Sequence, residues 1–202
     1  MFWKTHEPHG LPHNPFKSCV VPRPIGWIST LDADGLANLG PYSFFNGVAG
    51  DPPMVMFASG GRKDGQKDSI SNAEATGEFV CSMVSWELKD QMNTSSANVG
   101  ADVDEFQLAG LETEPSELVA PPRVKAAPIH LECTYFQTVE LPPDPRSGGG
   151  NAICIGRVIG VYIADAVMKD GMVDTKAFRP VARLGYMDYT SVTEVFEILR
   201  PD

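Results

Sequence analysis

The sequence predicts a mainly β fold, an antiparallel barrel or sandwich with a few short helices. Two observations carry that prediction: six or more segments have strand patterning with only two or three short helical stretches between them, and regular strand-helix-strand alternation is missing. No internal repeat is visible. The densest signal is residues 22–59, PRPIGWISTLDADGLANLGPYSFFNGVAGDPPMVMFAS, which reads as three strands joined by glycine and proline turns.

Residues 26–31 alternate apolar and small polar side chains, a DADG turn follows at 32–35, and 36–43 resume as a second strand to complete a β-hairpin. Pro41 limits where that strand can pair. After a turn at 51–53, residues 54–59 form a short apolar strand of the kind covered on both faces. The glycine-rich basic loop 60–67, GGRKDGQK, leads to Asp68 and Ser69, the expected N-caps of a helix that ends at Gly77. A strand over 79–84, a short helix over 86–92 and a polar loop over 93–100 come next. The four prolines of 115–128 mark a surface connection. Residues 129–141 alternate as a half-buried strand, with Phe136 and Gln137 as the two exceptions. Residues 151–164 form another long strand, with Gly156 and Gly160 as bends or bulges. From Arg179 onward aromatic and polar residues mix, which suits the lining of a site or an interface.

The chain has 202 residues, ordinary globular usage with 43% hydrophobic and 21% charged residues, and enough length for one large domain spanning 1–202. Its net charge is −10, and its 16 lysines and arginines are scattered, so no basic stripe exists to track nucleic acid. No apolar stretch is long enough to span a bilayer and the start has no basic-then-apolar signal layout, so a cytoplasmic protein without membrane contact is expected. Cys19, Cys81, Cys133 and Cys154 are far apart in apolar surroundings and read as reduced core residues. His6, His9 and His13 are separated by Pro8, Gly10 and Pro12, which forbid a helix that would gather them on one face, so no metal site is expected. His130 reads as a satisfied strand histidine.

Two stretches carry the chemistry. Ser59, Arg62, Lys67 and Ser69 offer hydroxyls, cations and helix-start amides directly after a strand, a combination that holds phosphate. A solvated loop has the same composition. In 41–46, PYSFFN, Ser43 and Asn46 stand among three aromatic rings, as a flat heteroaromatic ring with polar edges requires, and ordinary core packing accounts for that segment as well.

These residues resemble the flavin reductase-like family with an FMN-binding split β-barrel. The resemblance runs through PRPIGWIST at 22–30, the DxDG and N-x-x-P-x-S-x-F pattern from Asp32 through Asn38 and Pro41 to Phe45, and DPPMVMFAS at 51–59. It continues through KDS at 67–69, TGEFV at 76–80 and ARLG at 182–185 with the tyrosine after it. It spans nearly the whole chain, and HGLPHNPFK at 9–17 is similar to reductase components of the nitrilotriacetate monooxygenase component B type.

The resemblance implies a Greek-key split barrel that dimerises, with FMN near the subunit interface. Ser29, Thr30, Ser43, Phe44, Phe45 and Asn46 would contact the ring and ribityl chain, and Ser59, Arg62, Lys67 and Ser69 the phosphate. Ser69 replaces the family's usual Thr and keeps the hydroxyl, whereas Tyr186 stands where a Gly is frequent and would narrow the pocket. The implied activity is hydride transfer from NADH or NADPH to the flavin, supplying a monooxygenase partner, with no acid, base or nucleophile demanded of the protein. An FMN-binding electron carrier of the flavoredoxin kind without nicotinamide activity, and a split barrel with a haem or structural role, are the alternatives.

Overall fold

The computed structural model describes residues 1–60, 66–145 and 148–201. Five strands, β1 (Arg23–Pro24), β2 (Gly26–Leu31), β3 (Ala37–Tyr42), β4 (Phe45–Gly50) and β5 (Pro53–Ser59), occupy the first part of the chain. Then come β6 (Glu78–Met83), the short β7 (Thr113–Glu114) and β8 (Arg123–Val124), and the 13-residue β9 (Ile129–Leu141) and β10 (Asn151–Ile163). The last part holds β11 (Met168–Lys169), β12 (Met172–Val173), β13 (Val181–Arg183) and β14 (Tyr189–Ser191). The helices are α1 (Phe16–Cys19), α2 (Asp68–Thr76), α3 (Lys89–Thr94), α4 (Glu105–Leu108) and α5 (Thr175–Phe178). The mainly β class with a few short helices is what the sequence predicts.

Seven strands form one antiparallel sheet in the order β3-β2-β6-β9-β10-β5-β4. Its two edge strands, β3 and β4, are joined by Ser43 and Phe44 alone. Three peptide links reach about 11 Å, whereas six interstrand steps of a flat sheet would separate the edges by about 29 Å. The sheet is therefore curled, and the β4–β5 pairing runs on into the link, where Ala58 N–H donates to the Phe44 carbonyl at 2.7 Å. The β9–β10 register slips twice: β9 carries an extra residue, Phe136, opposite Ile155 and Gly156, and β10 carries an extra residue, Ile159, before Gly160, so both irregularities fall beside the expected glycines. A three-stranded sheet, β1-β13-β14, packs beside the barrel.

Alternation along β2 divides the core in two. Ile28 faces the barrel interior with Phe45, Val55, Phe57, Phe79 and Cys154, whereas Trp27 faces an outer cluster with Leu39, Val84, Leu88, Met92 and Phe106. The Trp27 indole donates to Ser95 Oγ at 2.9 Å, so its single polar group is satisfied in full burial.

Several local expectations are corrected. Residues 45–50 form strand β4, because pairing with β5 outweighs the weak strand propensity of NGVAG. Lys67, in extended conformation, holds the N-cap position of α2, and Asp68 begins the helix with no side-chain cap. The segment 86–92 splits into a 3-10 turn at Trp86–Leu88 followed by α3, which extends to Thr94. The connection 115–128 is not merely superficial, since Val119, Arg123 and Val124 are buried against the barrel. Cys19 is exposed, while Cys81, Cys133 and Cys154 are buried and free.

His130 is fully buried on β9, its Nδ1 3.0 Å from Ser82 Oγ, but its Nε2 makes no hydrogen bond of normal geometry, so it is only half satisfied. Burial first, and the nearby Arg123 charge second, lower its pKa to about 4, with the Ala127 backbone opposing weakly.

Two predictions follow from this packing. A Cβ at Gly156 would overlap the Phe79 ring and stand 3.1 Å from the Thr134 carbonyl, whereas at Gly50 it meets nothing within 4 Å. Gly156→Ala should therefore cost about 1–3 kcal/mol in denaturant unfolding and Gly50→Ala well under that. Because the folded pKa of His130 lies below the unfolded value of 6.5, its contribution is complete above that value and is lost as pH falls toward about 4. Unfolding measured against pH should show about 3 kcal/mol of acid-dependent loss in this window that His130→Asn removes.

Candidate functional site

The curled sheet leaves a cleft of about 240 Å³ where its edges meet. One wall is β3 with the 43–44 link, the opposite wall is the end of β5 at Ala58, Ser59 and Gly60, and the start of α2 at Lys67, Asp68 and Ser69 closes one end. Lys17 and Ser96 reach it from α1 and from the turn after α3. The cleft thus gathers Ser43, Phe44, Ser59, Lys67 and Ser69 of the residues the sequence singles out.

Four others are placed elsewhere. Ser29 is fully covered and donates to the Pro122 carbonyl at 2.5 Å, because residues 115–128 lie over that face of β2. Thr30 is also fully covered and accepts from Asn72 Nδ2 at 3.1 Å. Phe45 belongs to the barrel interior and packs over Gly26. Asn46 is exposed on β4, its side-chain carbonyl accepting from Gly47 N–H at 3.0 Å. Arg62 lies outside the described residues.

The floor of the cleft is a polar network. Ser69 Oγ donates to Asn38 Oδ1 at 2.7 Å, and Asn38 Nδ2 donates to both oxygens of Glu105 at 3.1 and 3.2 Å. Glu105 Oε2 also accepts from Leu39 N–H at 3.0 Å. Asp104 fixes the position of Glu105 by capping α4, accepting from Phe106 and Gln107 N–H. Glu105 is 7% exposed, and burial raises its pKa, with the Asp68 charge adding to the shift and the Leu39 amide and Asn38 opposing it. Asn38 stands in the motif read from the sequence, but nothing local marks Glu105, which reaches β3 from 66 residues away.

A second cleft of about 480 Å³ adjoins the first and shares Lys17, Pro41, Ser43 and Ser96 with it. Arg23, Arg183, Tyr186 and Tyr189 line it, so the aromatic stretch after Arg179 does face a cavity. Arg23 is 5% exposed, and its guanidinium donates to the carbonyls of Lys17, Val20 and Leu184, the last two at 2.6 and 2.8 Å. Those bonds hold α1 and the turn after β13 against β1. Tyr186 adopts φ of 53°, the left-handed region that favours glycine, and its ring meets His13 edge-on at 5.8 Å. Among the described residues no group of His, Cys, Asp and Glu is arranged to hold a metal ion.

The arrangement is that of a cofactor cleft more than of an acid-base centre. Small hydroxyls, the start of the nine-residue α2 and Lys67 converge at one end, and aromatic and apolar groups at the other. Residues 18–182 match the model of the flavin reductase like domain. An uncharacterized protein, BH2278, of Halalkalibacterium halodurans is 36% identical over 185 residues, covering 90% of this chain and 87% of its own. The nitrilotriacetate monooxygenase component B from Bacillus cereus superposes with a TM-score of 0.84 at 28% identity, over 95% of this chain and 100% of that one. The flavoredoxin of Desulfovibrio vulgaris (Miyazaki F) shares the fold, with a TM-score of 0.77 at 21% identity over 89% of this chain and 91% of its own. A match across the barrel, both walls of the cleft and the start of α2 makes the chain a member of the flavin reductase-like family, with its split-barrel fold.

Proposed function

We propose that the protein is an FMN-dependent flavin reductase that oxidises NADH or NADPH and passes reduced flavin to a monooxygenase partner. The observation that carries this reading is the start of α2 at the seam. Lys67 at the N-cap position places no side chain over the first turn, and Ser59, Lys67 and Ser69 stand around that turn. A phosphate there would accept from the amides and meet the Lys67 charge. Asp68 and Glu105 line the same cleft, but the Glu105 carboxylate is turned into the floor and engaged by Asn38 and Leu39.

In this reading FMN supplies the hydride-accepting ring when bound. The chain's own residues bind and orient it. Lys67 and Ser59 hold the phosphate end, and Ser69 acts through Asn38, whose orientation it fixes. Ser43 and Phe44 border the ring end, where Phe44 is kept in place between Lys17 and Arg23, each 5.8 Å from its centroid. Ser29, Thr30 and Phe45 support the wall from behind. Asn46 lies on an exposed strand with Val48, and a homodimer covering that strand would bring a second copy near the seam. Similarity to the component B protein supports a monooxygenase partner. A cytoplasmic place fits a chain in which no helix among the described residues is long and apolar enough to cross a membrane.

Anaerobic titration of the FMN-loaded protein with NADH and with NADPH tests the activity by loss of the oxidised-flavin absorption. Bleaching by either nicotinamide is expected. Tight FMN binding without bleaching would establish the electron-carrier alternative, and absence of both would overturn a flavin role. Lys67→Ala should weaken FMN binding about tenfold or more, while leaving the affinity for riboflavin, which has no phosphate, within about twofold.

A further inference from the structure

The second cleft holds a charge arrangement that the flavin reading does not use. Lys17, Arg23 and Arg183 line it, and no carboxylate does among the described residues. None of the three takes part in an ion pair among the described residues. The chain carries 26 acidic against 16 basic side chains, so three cations converging without an acidic partner run against its composition.

The register sharpens the point. Arg23 of β1 and Arg183 of β13 are direct cross-strand partners. Like charges so placed destabilise an antiparallel pair unless something offsets them. Burial, followed by the Arg183 charge, lowers the Arg23 pKa. Arg23 donates to three backbone carbonyls and, through Nε at 3.5 Å, to Ser43 Oγ, and acts as a fixed positive charge behind the wall. Arg183 is only partly covered; it lies over the Tyr189 ring at 4.2 Å and donates to the Tyr186 carbonyl. That last bond braces Tyr186 in its left-handed conformation, a backbone cost of a kind found at ligand clamps. Around the cations stand Ile25, Met92, Met187 and the two tyrosines, which form apolar and aromatic walls.

We propose that this second cleft binds a planar aromatic ring bearing an anionic group, the anion set against Arg183 and Lys17 and the ring against Tyr186 and Tyr189. The volume suits a small aromatic acid, and charge-assisted bonds from a guanidinium to a carboxylate or phosphate supply the selectivity. Its charge preference stands without a flavin; only its position beside the ring end of FMN, through the shared Ser43 and Pro41, rests on the reading above.

Calorimetric titration of the full chain, with and without FMN, tests this using sodium benzoate, the neutral isostere benzamide, and NADH as competitor. Benzoate should bind at least about tenfold tighter than benzamide, Arg183→Gln should lose about tenfold of the benzoate affinity, and Arg183→Lys should keep most of it. Displacement of benzoate by NADH would assign the cleft to a dinucleotide donor, and its absence to free aromatic acids. Equal affinity for benzoate and benzamide, no binding of either, or an unchanged affinity in Arg183→Gln would overturn the proposal. FMN is titrated separately, so charge-selective benzoate binding without FMN binding would remove the flavin reading and leave this one.

Discussion

The two-residue link between β3 and β4 governs this molecule. Chain connectivity through Ser43 and Phe44 forces opposite edges of a seven-stranded sheet together, and every other packing decision accommodates that closure. Phe45, the first residue beyond the link, turns into the barrel and packs over Gly26, where a side chain would clash. Bulges at Phe136 of β9 and Ile159 of β10, facing or adjoining Gly156 and Gly160, bend the two longest strands around the core. Because β3 and β4 meet at a corner and do not pair along their length, closure leaves a seam. The cleft is that seam.

The walls of the seam are fixed by polar groups more than by apolar contact. Ser69, Asn38 and Glu105 tie the start of α2, strand β3 and helix α4 into one unit, with Thr30 and Asn72 next to it. A buried carboxylate with two amide partners is stable only while all members stay in place, which makes the floor a single rigid surface. The second cleft is held differently. There a buried guanidinium gathers three carbonyls from two segments, so that one side chain, Arg23, sets the position of α1 relative to β1 and β13.

Much of this was legible from local patterning. The alternation of 129–141, broken at Phe136 and Gln137, marked β9, the glycines of 151–164 marked β10 and its irregularities, and the hairpin of β2 and β3 followed from DADG between two apolar runs. The phosphate-type residues at Ser59, Lys67 and Ser69 are adjacent in space because β5 and α2 are adjacent in sequence. Long-range placement was not legible. Ser29 has the look of a site hydroxyl until residues 115–128 cover it, and β4 is a strand only by virtue of β5 beside it. The Arg23–Arg183 pairing depends on a register between residues 160 positions apart, which no window of sequence contains.

The order of strands also dictates a history for each chain as it leaves the ribosome. Strand β5 joins the rest of the barrel through β10, so the hairpin of β4 and β5 has no place to dock until residue 163 has been synthesised. Until then β3, β2, β6 and, once made, β9 form one fragment and β4 and β5 another, each with an open edge able to pair with a neighbouring chain. Contacts that span about half the chain before they bring any gain are formed slowly. The seam is therefore among the last features to form, and a nascent or truncated chain that stops short of β10 lacks the strand that would hold it closed.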